Sequence, residues 1–265
     1  MYVIGERING MFKKIRQGIV DKDKSIIQDA AKKQIAAGAD ALDVNVGPAS
    51  PDRVGATKWL IEAIREVTDI PLSIDDPRWS VQSECIPLVK GAGIINSCKA
   101  DEETLDKYLK LAMDNEVALL GLTIDAQGVP ANVDKRVELG AQIVAKAMEV
   151  GLPMERLFVD PIILPVNVAP QQPGNVLQAL QQLGMVCDPA PKLVLGLSNV
   201  SQKCQERHLI NRTYYVMAVA AGLTACILDP LDTDLMNAGI SAELMLEKMI
   251  YCDAYLDAAR SQKTG

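Results

Sequence analysis

The sequence predicts an α/β fold of the (β/α)8 TIM barrel class, formed as a single domain over residues 1–265. Three observations support this prediction. Short β-branched runs alternate with longer stretches of helical hydrophobic spacing, and this unit recurs eight times along the chain. No linker rich in Pro, Gly or Ser interrupts the alternation, and neither does a low-complexity tract or a long block of charge.

The eight units are expected in a regular order. Asp101 is a candidate N-cap for the fourth helix, and Gly38 is a candidate C′ residue for the first. The predicted strands are 2–4, 41–44, 72–74, 94–95, 118–122, 157–159, 193–195 and 225–228. The predicted helices lie near 24–37, 53–67, 81–88, 102–114, 134–150, 174–184, 210–222 and 240–260.

A doubly wound open sheet is the competing architecture. Such a sheet usually opens with a glycine-rich phosphate turn after its first strand. The segment GERING at 5–10 has neither the GxGxxG nor the GxxxxGK spacing, so the barrel is favoured.

Composition excludes several classes of function. The chain has 27 Lys and Arg against 34 Asp and Glu, a formal net charge of −7, whereas a nucleic-acid partner requires clustered basic residues. The single histidine, His208, excludes most transition-metal sites and most Ser-His or Cys-His hydrolases. We therefore expect chemistry based on carboxylates, amides and backbone groups, with no required bound metal.

The sequence also predicts a cytoplasmic protein. No apolar run approaches the ~20 residues of a membrane-spanning helix, and no signal peptide is recognisable. The six cysteines are widely separated and form no CxxC pair, which is typical of reduced thiols. Cys98, close to a strand end, is the only thiol considered for a functional role.

Polar residues directly follow every predicted strand. The carboxyl ends of barrel strands share one mouth, where catalytic groups of such barrels are found. Helix capping accounts for a few acids such as Asp76 and Asp125, but less well for the complete ring. Its members are Glu6, Asn9, Asp43, Asn45, Asp75, Asp76, Asn96, Thr123, Asp125, Asp160, Ser198, Asn199 and Asp229.

A ring of Asp and Asn suits a neutral heterocycle that carries N–H, amino and carbonyl groups. A buried carboxylate accepts from adjacent N–H donors, and an amide both donates and accepts. A phosphate would instead require glycine-rich turns or basic residues at the mouth. Mg²⁺ bound by paired carboxylates such as Asp43 and Asp75 stays open as an alternative.

Three smaller motifs carry less weight. GLSNV at 196–200 lacks the second glycine of a GxSxG nucleophile elbow, so hydrolysis at Ser198 is not expected. The prolines of DPIILPVNVAP at 160–170 predict a stiff extended loop. His208 is expected just before a helix, with a local hydrogen bond rather than a catalytic role.

Several segments together resemble one family. They are GERING at 5–10, LDVNVGP at 42–48, the strand end at Asp75, INS at 95–97, DPIILP at 160–165 and, most specifically, LGLSNVSQKCQERHLINRT at 195–213. The chain is similar over residues 1 to about 255 to the methyltetrahydrofolate:corrinoid protein methyltransferases of anaerobic one-carbon metabolism. Within that family it resembles the acetogen enzyme that serves the corrinoid/iron–sulfur protein and the tetrahydrofolate methyltransferase of glycine betaine demethylation.

The resemblance implies a homodimeric barrel that binds tetrahydrofolate, or 5-methyltetrahydrofolate, in its mouth. It implies that a separate corrinoid protein supplies the cobalamin. It assigns pterin hydrogen bonds to Asp75, Asn96 and Asp160, pterin contacts to Gly196 and Ser198, and the methyl-bearing N5 to Asn199. Gln202 and Arg207 would meet the benzoyl-glutamate tail. Asn199 and Asp160 are the residues to which the resemblance assigns catalysis.

Other functions stay open as alternatives. Dihydropteroate synthase shares the barrel and an Asp/Asn pterin pocket, but it needs basic residues for a diphosphate leaving group, and SNVSQ after the seventh strand has none before Lys203. A Mg²⁺-dependent lyase or hydrolase would use Asp43 and Asp75. A non-catalytic subunit would bind folate without transferring a methyl group.

Overall fold

The computed structural model describes residues 1–264, and side chains through residue 261. Eight parallel strands form a closed barrel in chain order, which confirms the predicted fold class. The strands are β1 (Tyr2–Asn9), β2 (Ala41–Asn45), β3 (Leu72–Asp75), β4 (Gly93–Lys99), β5 (Ala118–Leu122), β6 (Leu157–Asp160), β7 (Lys192–Gly196) and β8 (Ala225–Leu228). The helices are α1 (Lys13–Asp21), α2 (Lys24–Ala36), α3 (Arg53–Arg65), α4 (Trp79–Cys85), α5 (Glu102–Asp114), α6 (Val133–Glu149), α7 (Gln172–Leu183), α8 (Arg207–Ala220), α9 (Thr233–Met245) and α10 (Tyr255–Thr264).

All eight strands lie where the sequence predicts them, but one helix prediction is wrong. The stretch 240–260 is not one helix, because α9 ends at Met245 and α10 begins at Tyr255. Glu247, directly after the C-cap, has a φ of 58°, which a right-handed helix does not permit. Helix α1 was not predicted at all, although its buried residues Ile15, Gly18 and Ile19 have helical spacing.

The predicted helix ends at Asp101 and Gly38 are confirmed. The Asp101 carboxylate accepts the Thr104 amide at 3.1 Å, in the manner of an N-cap. Gly38 follows α2 with a φ of 95°, a conformation that disfavours any residue with a Cβ. Gly38 thus ends α2 shortly before β2 begins, and Asp101 starts α5 shortly after β4 ends.

The barrel interior is filled by an apolar layer. Side chains from seven strands pack together across it: Ile4, Ala41, Ile94, Leu120, Phe158, Val194 and Ala225. Their sequence neighbours face outward and pack under the helices, as the two-residue period of a strand requires. At the lower end, the ring centroids of Tyr2 and Phe158 are 5.7 Å apart, and the Lys192 ammonium lies 5.2 Å from the Phe158 ring.

The next inward position on each strand, two residues closer to the mouth, is mostly polar. This mouth layer comprises Glu6, Asp43, Asp75, Asn96, Leu122, Asp160, Gly196 and Ile227. The alternation of the strands therefore places an apolar floor directly beneath a set of carboxyl and amide groups. None of the helices in residues 1–264 is long and apolar enough to cross a membrane.

Candidate functional site

Asp43 is the centre of the polar network on one side of the mouth. Its side chain is buried, and its Oδ1 accepts both the Ser73 hydroxyl at 2.7 Å and the Asn96 Nδ2 at 3.0 Å. Because the Asn96 amide nitrogen is turned toward Asp43, the amide oxygen of Asn96 is available as an acceptor. The network thus orients Asn96 from behind.

Asp75 lies beside Asp43 and is held by a second amide. Asn45 Nδ2 donates to Asp75 Oδ2 at 2.5 Å, while Asn45 Oδ1 accepts the Gly47 amide at 2.6 Å, so both ends of the Asn45 side chain are fixed. Burial and then the neighbouring Asp75 raise the pKa of Asp43 well above its ordinary value, and burial also raises the pKa of Asp75. Two carboxyl groups so placed share a proton more readily than they carry two charges.

Asp160 occupies the opposite side of the mouth. It is buried at the end of β6, and its carboxylate accepts backbone N–H groups from Ile162, at 2.7 Å, and from Gly196. Burial raises its pKa to about 7, although the two amides and Arg136 oppose that rise. The Asp160 carboxyl can therefore change its charge near neutral pH when a ligand supplies or removes hydrogen-bond donors.

The turn after β7 carries three of the predicted site residues. Gly196 ends the strand, and a single 3₁₀ turn spans Leu197–Asn199. The Ser198 hydroxyl donates to Glu6 Oε1 at 2.7 Å. Asn199 is exposed, and its Nδ2 lies so close to Gly196 that a Cβ there would be 3.0 Å from it. Glycine at 196 thus gives the Asn199 amide room to lie over the backbone.

Gln202 and Arg207 are less closely joined to the mouth layer. Both are exposed. Arg207, the first residue of α8, directs its guanidinium back to its own loop, where Nε contacts Ser201 Oγ and Nη2 contacts the Ser198 carbonyl, each at 3.2 Å. The role of both residues at a ligand tail stays a prediction.

Two buried polar residues support the site without any signal in the sequence. Gln82 on α4 is fully buried, and its Nε2 donates to the carbonyls of Ile74, Asp76 and Asn96 at 2.7, 2.9 and 3.1 Å. It thereby joins the ends of β3 and β4. Since Gln82 lies within a helix candidate of ordinary polar pattern, only its tertiary position reveals this role.

Arg136 plays the corresponding part for the proline-rich loop. It is fully buried on α6 and donates to the carbonyl oxygens of Pro161 and Ile162, at 2.7 and 3.3 Å. The loop beyond β6 is only partly the extended segment that the prolines predicted, because Ile162 has a φ of 60° and turns follow at 166–168. Thr123 is also fully buried at the mouth, and its hydroxyl has no hydrogen-bond partner among the residues that the structure describes.

The remaining reactive candidates lack catalytic surroundings. His208 lies inside the first turn of α8 rather than before the helix. Its Nδ1 is 2.8 Å from Oδ2 of Asp232 at the start of α9, so its hydrogen-bond partner is distant in the sequence rather than local as predicted. Burial raises the pKa of the Cys98 thiol to about 12, so the thiol stays protonated. Within residues 1–264, no group of three or more His, Cys, Asp or Glu side chains is arranged to hold a metal ion.

The chain is similar in sequence to known methyltransferases. It is 29% identical to the methylcorrinoid:tetrahydrofolate methyltransferase of Eubacterium limosum, over all of this chain and 98% of that protein. It is 26% identical to the methionine synthase of Mycobacterium leprae over 85% of this chain, which spans only 20% of that longer protein.

Solved structures share the fold. A dihydropteroate synthase from Coxiella burnetii in complex with pteroic acid superimposes with a TM-score of 0.71 at 17% identity, over 94% of each chain. The dihydropteroate synthase of Thermus thermophilus gives a TM-score of 0.67 at 18% identity, again over 94% of each chain. The sequence profile described as "Pterin binding enzyme" matches residues 9–229. The chain therefore belongs to the pterin binding enzyme family.

Proposed function

We propose that the protein is a methyltransferase that moves a methyl group between N5 of tetrahydrofolate and the cobalt of a corrinoid carried by a partner protein. The reaction is methylcob(III)alamin plus tetrahydrofolate in equilibrium with cob(I)alamin plus 5-methyltetrahydrofolate. The observation that supports this proposal best is the mouth layer, which combines Asp75, Asn96 and Asp160 with Asn199 on the adjoining turn. The similarity to the Eubacterium limosum enzyme extends over the whole chain and agrees with it.

The mouth layer matches the hydrogen-bonding edge of a pterin. Asp160 and Asp75 supply carboxylate acceptors for the ring N–H and amino donors of the heterocycle. Asn96 supplies an oriented amide oxygen, because its nitrogen is already bound to Asp43. Gly196 and Ser198 would line the ring beside Asp160, and Gln202 and Arg207 would meet the anionic tail where the loop opens to solvent.

Asn199 is positioned to assist the chemical step. When cob(I)alamin takes the methyl group, the N5–CH₃ bond breaks, its electron pair stays on N5, and the new Co–CH₃ bond uses the electron pair of cobalt. A hydrogen bond from the Asn199 amide to N5 stabilises that pair more in the transition state than in the ground state. Asp160 supports the same step by holding the pterin edge.

Four exposed apolar side chains on one half of the mouth support docking of the corrinoid partner there. Met11, Val168, Leu209 and Leu231 follow β1, β6, β7 and β8, four consecutive strands of the closed barrel, and are 66%, 73%, 59% and 43% exposed. Apolar patches of this kind commonly mark protein interaction sites. The net charge of −7 does not favour a nucleic-acid partner.

Two further features belong to the proposal. We propose a homodimer, and the outer face of α8, with exposed Val216 and Met217, is a suitable surface for it. Light scattering at several protein concentrations tests this directly. We also place the protein in the cytoplasm, because none of its six cysteines forms a disulfide.

The alternatives fit the mouth less well. Dihydropteroate synthesis requires basic residues near a diphosphate, but the turn after β7 presents Ser198 and Asn199 instead. A Mg²⁺ enzyme would need a cluster of carboxylates, and among the residues that the structure describes no group of three or more His, Cys, Asp or Glu side chains is arranged to hold a metal ion. Activity that survives EDTA disfavours the metal-dependent alternative.

One assay tests the proposed function. The protein is mixed with tetrahydrofolate and methylcob(III)alamin, and the absorbance of cob(I)alamin is followed. We expect cob(I)alamin to form, and formation only with a methylated corrinoid protein would show that the partner is required. Tight folate binding without methyl transfer in either arm would instead indicate a non-catalytic binding subunit.

A further inference from the structure

Strand β1 breaks its regular pairing with β2 at Glu6 and Arg7. The register shifts by one residue between Gly5 and Ile8, which is a β-bulge. Glu6 faces inward above Ile4, as strand alternation requires, and the extra residue turns Ile8 outward under the helices. On β1, the apolar lining of the barrel interior therefore ends at the Glu6 carboxylate.

The same construction occurs at a predicted pterin ligand. On β4 the register shifts between Asn96, which faces inward, and Cys98, which is buried outward. The bulge on β1 is also supported by a dedicated side chain, since the fully buried Gln34 accepts the Arg7 amide at 2.9 Å. Bulges are common at barrel rims and beside active sites, and Glu6 and Asn96 each lie at such a bulge at the mouth.

Glu6 contacts the Leu197–Asn199 turn across the barrel mouth. Its Oε1 accepts the Ser198 hydroxyl at 2.7 Å, although β8 lies between β1 and β7 in the sheet. Burial raises the pKa of Glu6, while the Ser198 hydroxyl, Arg7 and Arg207 oppose that rise. The bond thus joins two strands that do not pair with each other.

The turn has a second anchor on the other side of Ser198. Arg207 Nη2 donates to the Ser198 carbonyl at 3.2 Å, and its Nε contacts Ser201 Oγ at the same distance. Ser198 is therefore bound through its side chain to β1 and through its backbone to α8. Asn199 is the next residue, so the placement of its Cα depends on both contacts.

We propose that Glu6 is a positioning residue: by accepting the Ser198 hydroxyl, it holds the Leu197–Asn199 turn where the Asn199 amide can reach the reacting nitrogen of the substrate. This inference rests on the proposed methyl transfer. Glu6 acts through Ser198 and needs no contact with the substrate itself. A small displacement of a catalytic group costs rate more than affinity, which gives the role a measurable signature.

The experiment measures single-turnover methyl transfer at saturating tetrahydrofolate, with calorimetry for the folate affinity. We expect Glu6→Ala to lower the rate about thirtyfold and to change the folate Kd by less than about threefold. Glu6→Gln keeps an acceptor at the same position and should recover most of the rate. Glu206→Ala is the matched control, since it removes an exposed acid at the start of α8 whose side chain forms no capping bond.

A second background separates positioning from general damage. In an Asn199→Ala protein, the further change Glu6→Ala should leave the rate unaltered, because there is no amide left to position. Ser198→Ala removes the same bond from the other side, and it should slow transfer to a similar extent and not add to Glu6→Ala. It also serves as the test if Glu6→Ala melts at a much lower temperature.

The outcomes are distinct. An unchanged rate in Glu6→Ala, or a full additional loss in the Asn199→Ala background, overturns the positioning role. Absence of methyl transfer in the unaltered protein, with its corrinoid protein present, overturns the proposed function instead.

Discussion

The two ends of the barrel interior are built from the same strands but differ in physical character. In the apolar layer, Phe158 packs against Tyr2 and contacts the Lys192 ammonium, and the other inward residues of this layer are aliphatic except for Ser73. At the mouth, two residues further along β6, Asp160 is buried with a pKa raised to about 7. On the same strand, burial of Phe158 stabilises the fold, whereas burial two residues further on opposes ionisation of the Asp160 carboxyl group.

This difference shows that the mouth, unlike the apolar layer, is not built for maximum stability. Burial also raises the pKa values of Glu6, Asp43 and Asp75, so desolvation opposes ionisation of the carboxyl groups all round the mouth. Such groups are kept where donors of a ligand can compensate for lost water.

The largest expected effect is on stability at the apolar layer. Leu120→Ala removes a buried side chain from the barrel interior on β5, whose mouth position carries Leu122 rather than a polar group. We expect the free energy of unfolding to fall by about 2–5 kcal/mol, because the cavity cannot fully collapse. Urea denaturation measures the loss. The methyl-transfer rate per folded molecule should stay close to normal. A large loss of rate would show that the apolar layer also contributes to the chemical step.

The next largest effect is on the chemical step. Asn199→Ala should lower the methyl-transfer rate about a hundredfold or more, as removal of one positioned amide donor does in other enzymes. Folate affinity should change less, since the donor acts mainly in the transition state. Single-turnover absorbance measurements test this, with exposed Gln205→Ala on the same loop as the control. A near-normal rate would remove Asn199 from the mechanism.

Changes to the carboxylates should act on binding. Asp75→Asn and Asp160→Asn each present an amide where the pterin edge requires an acceptor, and we expect the tetrahydrofolate Kd to rise about tenfold. Calorimetry measures both, and Asp125→Asn, which alters an acid on the loop after β5, is the control. Unchanged affinity in both variants would refute the proposed pterin orientation.

The raised pKa of Asp160 predicts that stability and folate affinity depend on pH. Its pKa in the folded, ligand-free protein is about 7, raised from 3.8, so the protonated form is the one that the empty site favours. Its contribution to stability is complete below the unfolded pKa and is lost as the pH rises through about 7. Pterin donors favour the ionised carboxylate, so folate affinity should fall as the pH is lowered below 7. Calorimetry at pH 6, 7 and 8 should show this trend, and Asp160→Asn should lessen it.

The smallest effect is expected at the solvent-exposed loop. Arg207→Lys keeps the charge but loses the two-point contact with Ser198 and Ser201. We expect the folate Kd to rise about twofold to fivefold, since exposed ion pairs contribute little. Comparing tetrahydrofolate with a pterin that lacks the glutamate tail tests the assignment. An equal loss for both ligands would show that Arg207 acts on the turn rather than on the tail.

Much of the mouth was predictable because it follows from strand alternation. Asp75 and Asp160 end apolar strands, and Asp43 lies directly against Val44 within β2, so their positions were visible in the sequence. Gln82 and Arg136 were not predicted, since their roles depend on carbonyl groups far away in the chain. The helix predicted at 240–260 was wrong because hydrophobic periodicity does not register the backbone reversal at Glu247.

The sequence by itself determined the eight strand–helix units, the barrel class and the acid and amide character of the mouth, because these depend on local periodicity and residue type. Only the tertiary structure decided which groups meet. It placed Glu6 against Ser198 and turned Asn96 toward Asp43, pairs separated by 192 and 53 positions. Such contacts arise from the closure of the barrel and its two bulges, and these depend on long-range pairing that the local pattern does not contain.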